Sequence, residues 1–271
     1  MIPSDDFVFS QSALEAYREC PRRFELRFIQ DLRWPGLETQ DAIEHEAQIE
    51  RGEEFHQLLH MHSLGVDESK LEATIRDDEI RLWWRNYLGW QKDNLPLTRW
   101  SEISLTAPVG ASLVTAKYDV IAREPDGGFL IVDWKSGKVD SRARLTRRLQ
   151  TSVYPFVLAR AGESLNDGRP VTPESIRMVY WYAQTGETLE FNTTPELIER
   201  TDADLKSIID EIGARFEFPK TNDERRCRFC VYRSLCERGV EAGSLAEFPD
   251  DKPEAEETLI IDLADIEEIA F

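Results

Sequence analysis

Residues Ser112–Lys135 read SLVTAKYDVIAREPDGGFLIVDWK, and this stretch of the sequence decides the fold. Its two outer parts, Ser112–Arg123 and Phe129–Trp134, are rich in β-branched and other apolar residues. Between them lies the turn sequence Pro125-Asp126-Gly127-Gly128. Two such runs around a short loop that contains glycine predict a β-hairpin, so we expect these segments to pair as antiparallel strands.

The register of this hairpin depends on the length of its loop. Proline and aspartate favour a type I turn and glycine favours the left-handed position after it, which suits a three-residue loop closed by Glu124 and Gly128. Asp119 then lies directly opposite Asp133, on the same face of the sheet. A two-residue turn at Asp126-Gly127 would shift the register by one residue and move Asp119 to the other face. The turn sequence therefore predicts that the two aspartates converge.

A lysine completes this group. Asp133 and Lys135 share a face of their strand because side chains alternate, whereas Trp134 points away. Two carboxylates beside a lysine suit a hard divalent cation and a hydrolytic water. The cation holds a phosphodiester oxygen and lowers the pKa of the water, and the lysine stabilises the added charge or orients the nucleophile. The alternative is an ordinary pair of strands with charged residues at one edge.

The rest of the sequence extends outward from the hairpin. Strand Ser101–Ala107 precedes it, and Ile176–Ala183 and Thr188–Asn192 form a second strand pair. Helical patterns cover five further segments: Ser12–Ile29 with a kink at Pro21, Thr39–Gly65, Glu68–Gly89, Arg142–Ala161 with a bend at Pro155, and Thr194–Phe216. This order predicts one α/β domain over residues 1–240, with a helical insert at about residues 39–98 and an acidic tail over residues 241–271.

The composition is that of a soluble globular protein, with 41% hydrophobic residues and no run long enough to span a membrane. The first residues lack the basic start and apolar run of a signal peptide, so the expected location is the cytoplasm. The formal net charge of −19 argues against a general polyanion binder, but the charge is unevenly distributed. Residues 241–271 carry eleven carboxylates and one lysine, whereas Lys135–Arg148 contains six basic side chains against Asp140. This basic segment is either a docking surface for nucleic acid or a solvated helix face.

Four cysteines form a second group of chemical interest. Cys20 stands alone, and Cys227, Cys230 and Cys236 follow in a C-x₂-C-x₅-C pattern near the other end of the chain. Four thiolates are the usual ligands of a 4Fe–4S cluster, which would pin the first helix to the C-terminal segment. Structural zinc is the alternative, although zinc ribbons usually supply two short C-x₂-C pairs that this chain lacks. Unligated cysteines are the remaining interpretation.

Further motifs accompany these two groups. In chain order the motifs are Ser10-Gln11-Ser12-Ala13-Leu14, Cys20-Pro21-Arg22-Arg23-Phe24, Gly52-Glu53-Glu54-Phe55-His56, Asp119, Asp133-Trp134-Lys135, Gln150-Thr151-Ser152-Val153-Tyr154 and the cysteine triplet. Together they resemble the RecB-like branch of the PD-(D/E)XK nucleases, from about residue 8 to residue 238. The chain is similar to the iron–sulfur subset of that branch, which includes AddB-type nuclease domains and the CRISPR-associated exonucleases of spacer acquisition. One departure is Ala116, where the family often has glycine.

The resemblance implies a restriction-endonuclease-like fold, with a mixed β-sheet flanked by helices, and cleavage of DNA that depends on a divalent metal. Carried over by position, the metal ligands are His56, Asp119, Asp133 and the backbone carbonyl of Trp134, and the catalytic group comprises Asp119, Asp133, Lys135, Gln150 and Tyr154. Glu102 is a candidate for the outer shell of the metal. An imidazole ligand favours Mn²⁺ over Mg²⁺. Taken alone, His56 could instead be structural or pair with His60 around zinc.

These implications predict a metal-dependent DNA exonuclease that acts on single strands or DNA ends in repair, recombination or spacer acquisition. In such a role, the protein would be expected to act with a helicase or a CRISPR integrase as its partner. The alternatives are a DNA-end-binding subunit whose nuclease centre has lapsed and a scaffold with a structural iron–sulfur or zinc site. The acidic segment Glu254–Phe271 could mimic a phosphate strand and occupy the basic segment Lys135–Arg148, or it could simply be a solvating tail.

Overall fold

The structure is a computed structural model of the 271-residue chain, and it describes residues 7–32, 40–228 and 230–239, with only the backbone described for residues 40–46. The predicted acidic tail, residues 241–271, and the predicted start of the insert at Thr39 lie outside the described residues. In the described part of the chain, none of the helices combines the length and the apolar composition that crossing a bilayer requires.

A mixed β-sheet forms the centre of the molecule. Within the described residues it has six strands: β1 Val8–Ser10, β2 Arg99–Val109, β3 Ser112–Arg123, β4 Phe129–Lys135, β5 Ile176–Tyr182 and β6 Thr188–Asn192. β1 runs parallel to β3 and β4 runs parallel to β5, whereas the β2–β3, β3–β4 and β5–β6 pairs are antiparallel. β2 follows nearly the whole length of β3, so β1 and β4 share the other edge of β3, one at each end.

Helices cover both faces of this sheet. They are α1 Gln11–Glu19, α2 Pro21–Phe24, α3 Gln40–Ser63, α4 Glu68–Thr74, α5 Asp78–Asn94, α6 Arg142–Leu145, α7 Leu149–Ala161 and α8 Pro195–Ala214. A π-helical turn, Glu25–Ile29, follows α2. Because β4 and β5 are parallel, the chain must cross over between them, and α6 and α7 lie in that crossover. The predicted α/β fold, a mixed sheet flanked by helices, is confirmed.

Each face of the sheet packs against its own hydrophobic core. One core contains residues of α1, α7 and α8, with Leu14 and Phe156 fully buried. The other contains residues of α3, α4 and α5 and is rich in aromatic rings. Trp83, Trp84 and Tyr87 of α5 lie in this second core, and each is at most 1% exposed.

The turn between β3 and β4 has the predicted form. The N–H of Glu124 donates to the carbonyl of Gly128 at 2.8 Å, and Gly127 has a φ of +91°. A residue with a Cβ rarely adopts that φ, which explains the glycine. The β3–β4 pairs run from Arg123 opposite Phe129 to Val120 opposite Val132. This is the predicted register, and Asp119 and Asp133 lie directly beyond its last pair, Val120 opposite Val132.

Several predicted helices are divided in the structure, and one strand was missed. The first helix breaks at Pro21, as expected. The helix predicted at Glu68–Gly89 is two helices, because the carboxylate of Asp77 accepts the first amides of α5 and starts a new helix there. The helix predicted at Arg142–Ala161 is interrupted at residues 146–148. The three residues of β1 are too few to give a recognisable alternating pattern.

Candidate active site and thiol cluster

β3 changes its pattern where the acidic residues lie. Tyr118 and Ile121 both pack in the core that contains α7, whereas Val120 packs in the core that contains α3. Regular alternation would put Tyr118 and Val120 on one face, so the alternation is interrupted at Asp119 between them. The register sets Glu102 of β2 opposite Asp119, and Glu102 has a φ of +53°. At this interruption, side chains from both faces of the sheet can meet.

His56 reaches this position from α3. Its Nδ1 lies 3.4 Å from Oδ1 of Asp119, and its Nε2 lies 3.1 Å from the carbonyl oxygen of Trp134. Gly52, one turn earlier, lets α3 approach the end of β4, because a Cβ at this position would lie 3.0 Å from Oγ of Ser136. The glycine of the Gly-Glu-Glu-Phe-His motif thus permits the close approach that His56 requires.

His56, Glu102 and Asp119 form one group of potential metal ligands. Each offers a ligand atom, and these atoms all lie within 4.8 Å of one another. The amide of Trp134 donates to Oδ2 of Asp119 at 2.7 Å, and the ammonium of Lys117 lies 2.6 Å from Oε2 of Glu102. Glu102, which we expected in the outer shell, therefore lies within the donor group itself.

Asp133, Lys135 and Gln150 form a second group. Nζ of Lys135 lies 2.7 Å from Oδ2 of Asp133 and donates to Oε1 of Gln150 at 3.1 Å. Nε2 of Gln150 donates to Oδ1 of Asp133 at 2.6 Å. The two groups meet at the peptide between Asp133 and Trp134, because the N–H of that peptide donates to Asp119 of the first group. The structure thus places His56, Asp119 and the carbonyl of Trp134 together, whereas Asp133 lies in the neighbouring group with Lys135 and is not among the donors within 4.8 Å.

Tyr154 lies one turn after Gln150 in α7. Its ring packs against the ring of Tyr118, with the ring centres 4.9 Å apart, and its backbone carbonyl accepts a hydrogen bond from the hydroxyl of Tyr118 at 2.8 Å. Tyr154 is 8% exposed. Its contacts with Tyr118 anchor α7 to β3, and its predicted role near the substrate stays a prediction.

The charges of the first group are coupled. Burial alone would lower the pKa of His56, but the carboxylates of Asp119, Asp133 and Glu102 raise it to about 9. Burial alone would raise the pKa of Asp119, but His56, then the amide of Trp134 and the charge of Lys135, hold that pKa below its usual value. At neutral pH the pair is therefore an imidazolium beside a carboxylate.

The donor set fits a hard divalent cation. Carboxylate and carbonyl oxygens suit Mg²⁺ and Mn²⁺, and the imidazole of His56 adds a preference for Mn²⁺. Both ring nitrogens of His56 face acceptors, so a ring proton must leave when a cation binds. His60, the alternative zinc partner, instead shares a hydrogen bond with Ser101 at 2.8 Å. Among the described residues, the donor group within 4.8 Å does not include His60.

The cysteines from the two ends of the sequence lie close together. The amide of Thr221 donates to Sγ of Cys20 at 3.4 Å, at the end of α1. Arg238 donates from one nitrogen to Sγ of Cys227 at 3.6 Å and from another to the carbonyl of Thr221 at 2.9 Å. Hydrogen bonds therefore connect Cys20 with Cys227 through Thr221 and Arg238.

Cys230 and Cys236 belong to the same thiol cluster. Burial raises the pKa of both thiols, and neighbouring cysteines raise it further: Cys20 and Cys236 act on Cys230, and Cys20 and Cys227 act on Cys236. Such coupling requires the sulfur atoms to lie near one another. All four side chains are half-buried. The four thiols thus lie in one region, but in the described part of the chain no three of their sulfur atoms lie within 4.8 Å of one another.

The basic segment Lys135–Arg148 is partly neutralised. Asp140 forms ion pairs with Arg144 and with Arg148, the second at 3.0 Å. Three other basic side chains of the segment are exposed: Lys138, Arg142 and Arg147. Positive charge therefore remains at the surface close to Lys135 and the start of α7.

Sequence reasoning missed Lys117 and Glu15. Lys117 stands two residues before Asp119, so strand alternation was an available signal for its place beside Glu102. Glu15 of α1 accepts a hydrogen bond from the amide of Leu149 at 3.0 Å and so caps α7 next to Gln150. Glu15 and Leu149 are 134 positions apart, and no pattern in the sequence links them.

Comparison with known proteins gives a family for this chain. The sequence profile of the PD-(D/E)XK nuclease superfamily matches residues 8–237, which include both the metal-ligand group and the thiol cluster. No curated protein matches the chain. A solved structure of SSO0001 is similar with 14% identity and a TM-score of 0.44, over 87% of this chain and 88% of that chain. A candidate exonuclease from Eubacterium rectale is similar with 10% identity and a TM-score of 0.47, over 81% of this chain and 86% of that chain. On the profile match, the chain belongs to the PD-(D/E)XK nuclease superfamily.

Proposed function

We propose that the protein is a divalent-metal-dependent DNA exonuclease of the RecB-like, iron–sulfur branch of its superfamily. One observation carries the proposal. The peptide of Trp134 joins the donor group around His56 and Asp119 to the carboxylate–ammonium pair of Asp133 and Lys135. Oxygen and nitrogen donors for a hard cation beside a fixed ammonium suit phosphodiester hydrolysis.

Each side chain has a distinct task in this proposal. His56, Asp119, Asp133 and the carbonyl of Trp134 would hold the cation, which when bound polarises the phosphodiester and lowers the pKa of a water. The ammonium of Lys135 is held by Asp133 and Gln150, so it is oriented before the substrate arrives. A fixed positive charge stabilises the negative charge that develops on the phosphate.

The thiol cluster would hold a 4Fe–4S cluster. Its support is the convergence of Cys20 with the C-terminal cysteines, and the hydrogen bonds that Thr221 and Arg238 donate to sulfur. Anaerobic purification followed by visible absorption and elemental analysis tests this part. We expect a broad visible band and iron. Stoichiometric zinc without iron would remove the iron–sulfur cluster from the proposal.

DNA is the proposed substrate, as single strands or as ends. Exposed Lys138, Arg142 and Arg147 lie in the segment that follows Lys135 and supply a local positive field for a phosphate backbone despite the net charge of −19. The cellular setting that we propose is DNA repair, recombination or spacer acquisition, with a helicase or an integrase as partner in the cytoplasm.

The test is a digest of end-labelled linear DNA and of circular single-stranded DNA, with Mn²⁺ and with Mg²⁺. We expect wild-type protein to shorten linear DNA, to leave circles intact and to work faster with Mn²⁺. Lys135→Ala should slow cleavage by about 10²–10³-fold, since it removes a charge that acts in the transition state. Lys92→Ala, at an exposed lysine of α5, is the matched control.

Three outcomes would contradict the proposal. Cleavage of circles would indicate an endonuclease. Equal cleavage rates for Lys135→Ala and wild-type protein would show that the proposed active site is wrong. DNA binding without cleavage in either metal would favour a DNA-end-binding subunit whose nuclease centre has lapsed.

A further inference from the structure

Glu102 has an unusual backbone conformation for its position. It lies inside β2, yet its φ is +53°, in the left-handed region that residues with side chains seldom adopt. Its neighbours pair regularly with β3, Ser101 with Val120 and Ile103 with Tyr118. A conformation of this kind persists only where surrounding groups fix it, and it occurs most often at functional sites.

Two residues of α3 form hydrogen bonds with Ser101, the residue before Glu102. The hydroxyl of Ser101 shares one hydrogen bond with Nδ1 of His60 at 2.8 Å and another with the hydroxyl of Ser63. The hydroxyl of Ser63 donates its proton to the carbonyl of His60 at 2.7 Å. Because a hydroxyl has one proton, Ser101 must donate to Ser63 and accept from His60. Nδ1 of His60 therefore carries the ring proton, and both hydrogen bonds of Ser101 are directed to α3.

We propose that His60, Ser63 and Ser101 form a clasp that holds Glu102 in the left-handed conformation and thereby keeps its carboxylate in the metal site. The proposal rests on the metal-dependent function proposed above. The carboxylate lies within 4.8 Å of the ligand atoms of His56 and Asp119. His56 and His60 are one turn apart in α3, so the same helix supplies a ligand and the support for a second ligand.

The clasp acts by geometry. Without the bonds to α3, Ser101 could move, and Glu102 could relax to the extended backbone that the β2–β3 ladder favours. Successive side chains of an extended strand point to opposite faces, so this relaxation would turn the carboxylate relative to Asp119. Lys117 pairs with the carboxylate of Glu102, whereas His60 and Ser63 bond the residue before Glu102. His60 is thus a positioning residue for the cation.

The test measures Mn²⁺ binding by titration calorimetry without DNA. His60→Ala should weaken binding about tenfold, the lower end of what removing support for a metal ligand costs. His60→Asn should restore most of the affinity, because the asparagine amide can donate where Nδ1 donates. His62→Ala is the matched control: its Nδ1 bonds the hydroxyl of Tyr87 at 2.9 Å, two residues further along the same helix. We expect it to leave Mn²⁺ binding unchanged.

A double-mutant cycle separates positioning from general stability. Glu102→Gln alone should weaken Mn²⁺ binding, and adding His60→Ala should weaken it no further, because the clasp acts only through Glu102. If the losses of Mn²⁺ affinity in Glu102→Gln and His60→Ala multiply in the double variant, the clasp is wrong. Equal losses of affinity for His60→Ala and His62→Ala would also overturn it. If His60→Ala does not fold, Ser101→Ala removes the central hydroxyl with the same expectation.

Asp119→Asn distinguishes failure of the clasp from failure of the proposed function. If Asp119→Asn binds Mn²⁺ as wild-type protein does, the metal site itself is wrong. If it abolishes binding while His60→Ala has no effect, only the clasp is wrong.

Discussion

At the scale of single residues, the ring protons of His56 and the proposed divalent cation would compete for the same oxygen atoms. The ring nitrogens of His56 face the carboxylate of Asp119 and the carbonyl of Trp134. Since the pKa of His56 is raised to about 9, the ring is protonated at neutral pH. Positive charge therefore lies among the carboxylates with or without the cation, and the exchange of proton for cation couples metal binding to pH.

We expect Mn²⁺ binding near pH 7 to release about one proton from His56. Because the pKa of His56 is raised from 6.5 to about 9, affinity should increase as the pH rises towards 9. Titration calorimetry in two buffers of different ionisation enthalpy measures the number of protons. His56→Gln should release none, and His62→Ala should behave as wild-type protein. Proton release that His56→Gln retains would contradict this assignment.

The same pKa shift has a consequence for stability without metal. A group whose pKa is higher in the folded state stabilises the fold fully below its unfolded pKa, and the contribution is lost as the pH rises through the folded pKa. For His56, this stabilisation is lost between about pH 6.5 and pH 9, because its pKa is raised from 6.5 to about 9. Thermal unfolding in EDTA should show a larger fall in Tm over this window for wild-type protein than for His56→Gln. Equal falls would mean that His56 is not ion-paired in the folded protein.

At the scale of elements, the site depends on helices from both faces of the sheet. α3 supplies His56 from one face, and α7 supplies Gln150 from the other. The start of α7 is fixed by Glu15 of α1, which accepts the amide of Leu149. The side chain of Arg148, at the cap position of α7 itself, makes no capping hydrogen bond, so Glu15 provides a cap from another element.

Glu15→Ala should therefore lower the free energy of unfolding by about 1 kcal/mol, the typical cost of a lost helix cap. It should also slow cleavage, because Gln150 loses part of the support that orients Lys135. Glu15→Gln keeps an acceptor oxygen and should stay near wild-type protein in both measurements. Urea unfolding measures the stability of the two variants, and the linear-DNA digest measures their cleavage rates. A stable but inactive Glu15→Gln would show that charge, and not capping, is the role of Glu15.

The elements also show where sequence reasoning succeeds and where it fails. The β3–β4 register was predictable because Pro125, Asp126 and Gly127 determine it locally. The conformation of Glu102 was not, because it depends on Ser101 contacting residues 38 and 41 positions earlier in α3. Motif spacing selected the candidate ligands, but it could not show how they divide between two hydrogen-bonded groups.

At the scale of the whole molecule, the sheet separates two hydrophobic cores, and the candidate site has contacts on both sides of the sheet. Trp134 packs among the aromatic rings on the α3 side, while Asp133 and Lys135 contact Gln150 of α7. The thiol cluster ties α1 to the C-terminal segment through contacts between residues about two hundred positions apart. Cysteine spacing predicted that the four thiols lie in one region, whereas nothing in the sequence indicated that Arg238 would link Cys227 to Thr221 beside Cys20.

Arg238→Ala should loosen the thiol cluster, because it removes the bonds from Arg238 to Cys227 and Thr221. We expect a lower metal content per chain after purification and a lower Tm. Arg225→Ala is the matched control, since Arg225 is exposed and pairs with Asp223 beside the same cysteines. Iron and zinc analysis with thermal unfolding provides the measurement. Equal metal content in both variants would show that Arg238 plays no part in holding the cluster.

The metal site is the central claim, and anomalous diffraction from a crystal soaked in Mn²⁺ tests it most directly. The expected result is one strong manganese peak bonded to the imidazole of His56, the carboxylates of Asp119 and Asp133, and the carbonyl of Trp134. Glu102 should lie against the same ion, directly or through a water. A peak elsewhere, or full occupancy at a site that excludes Asp119 and Asp133, would contradict the account.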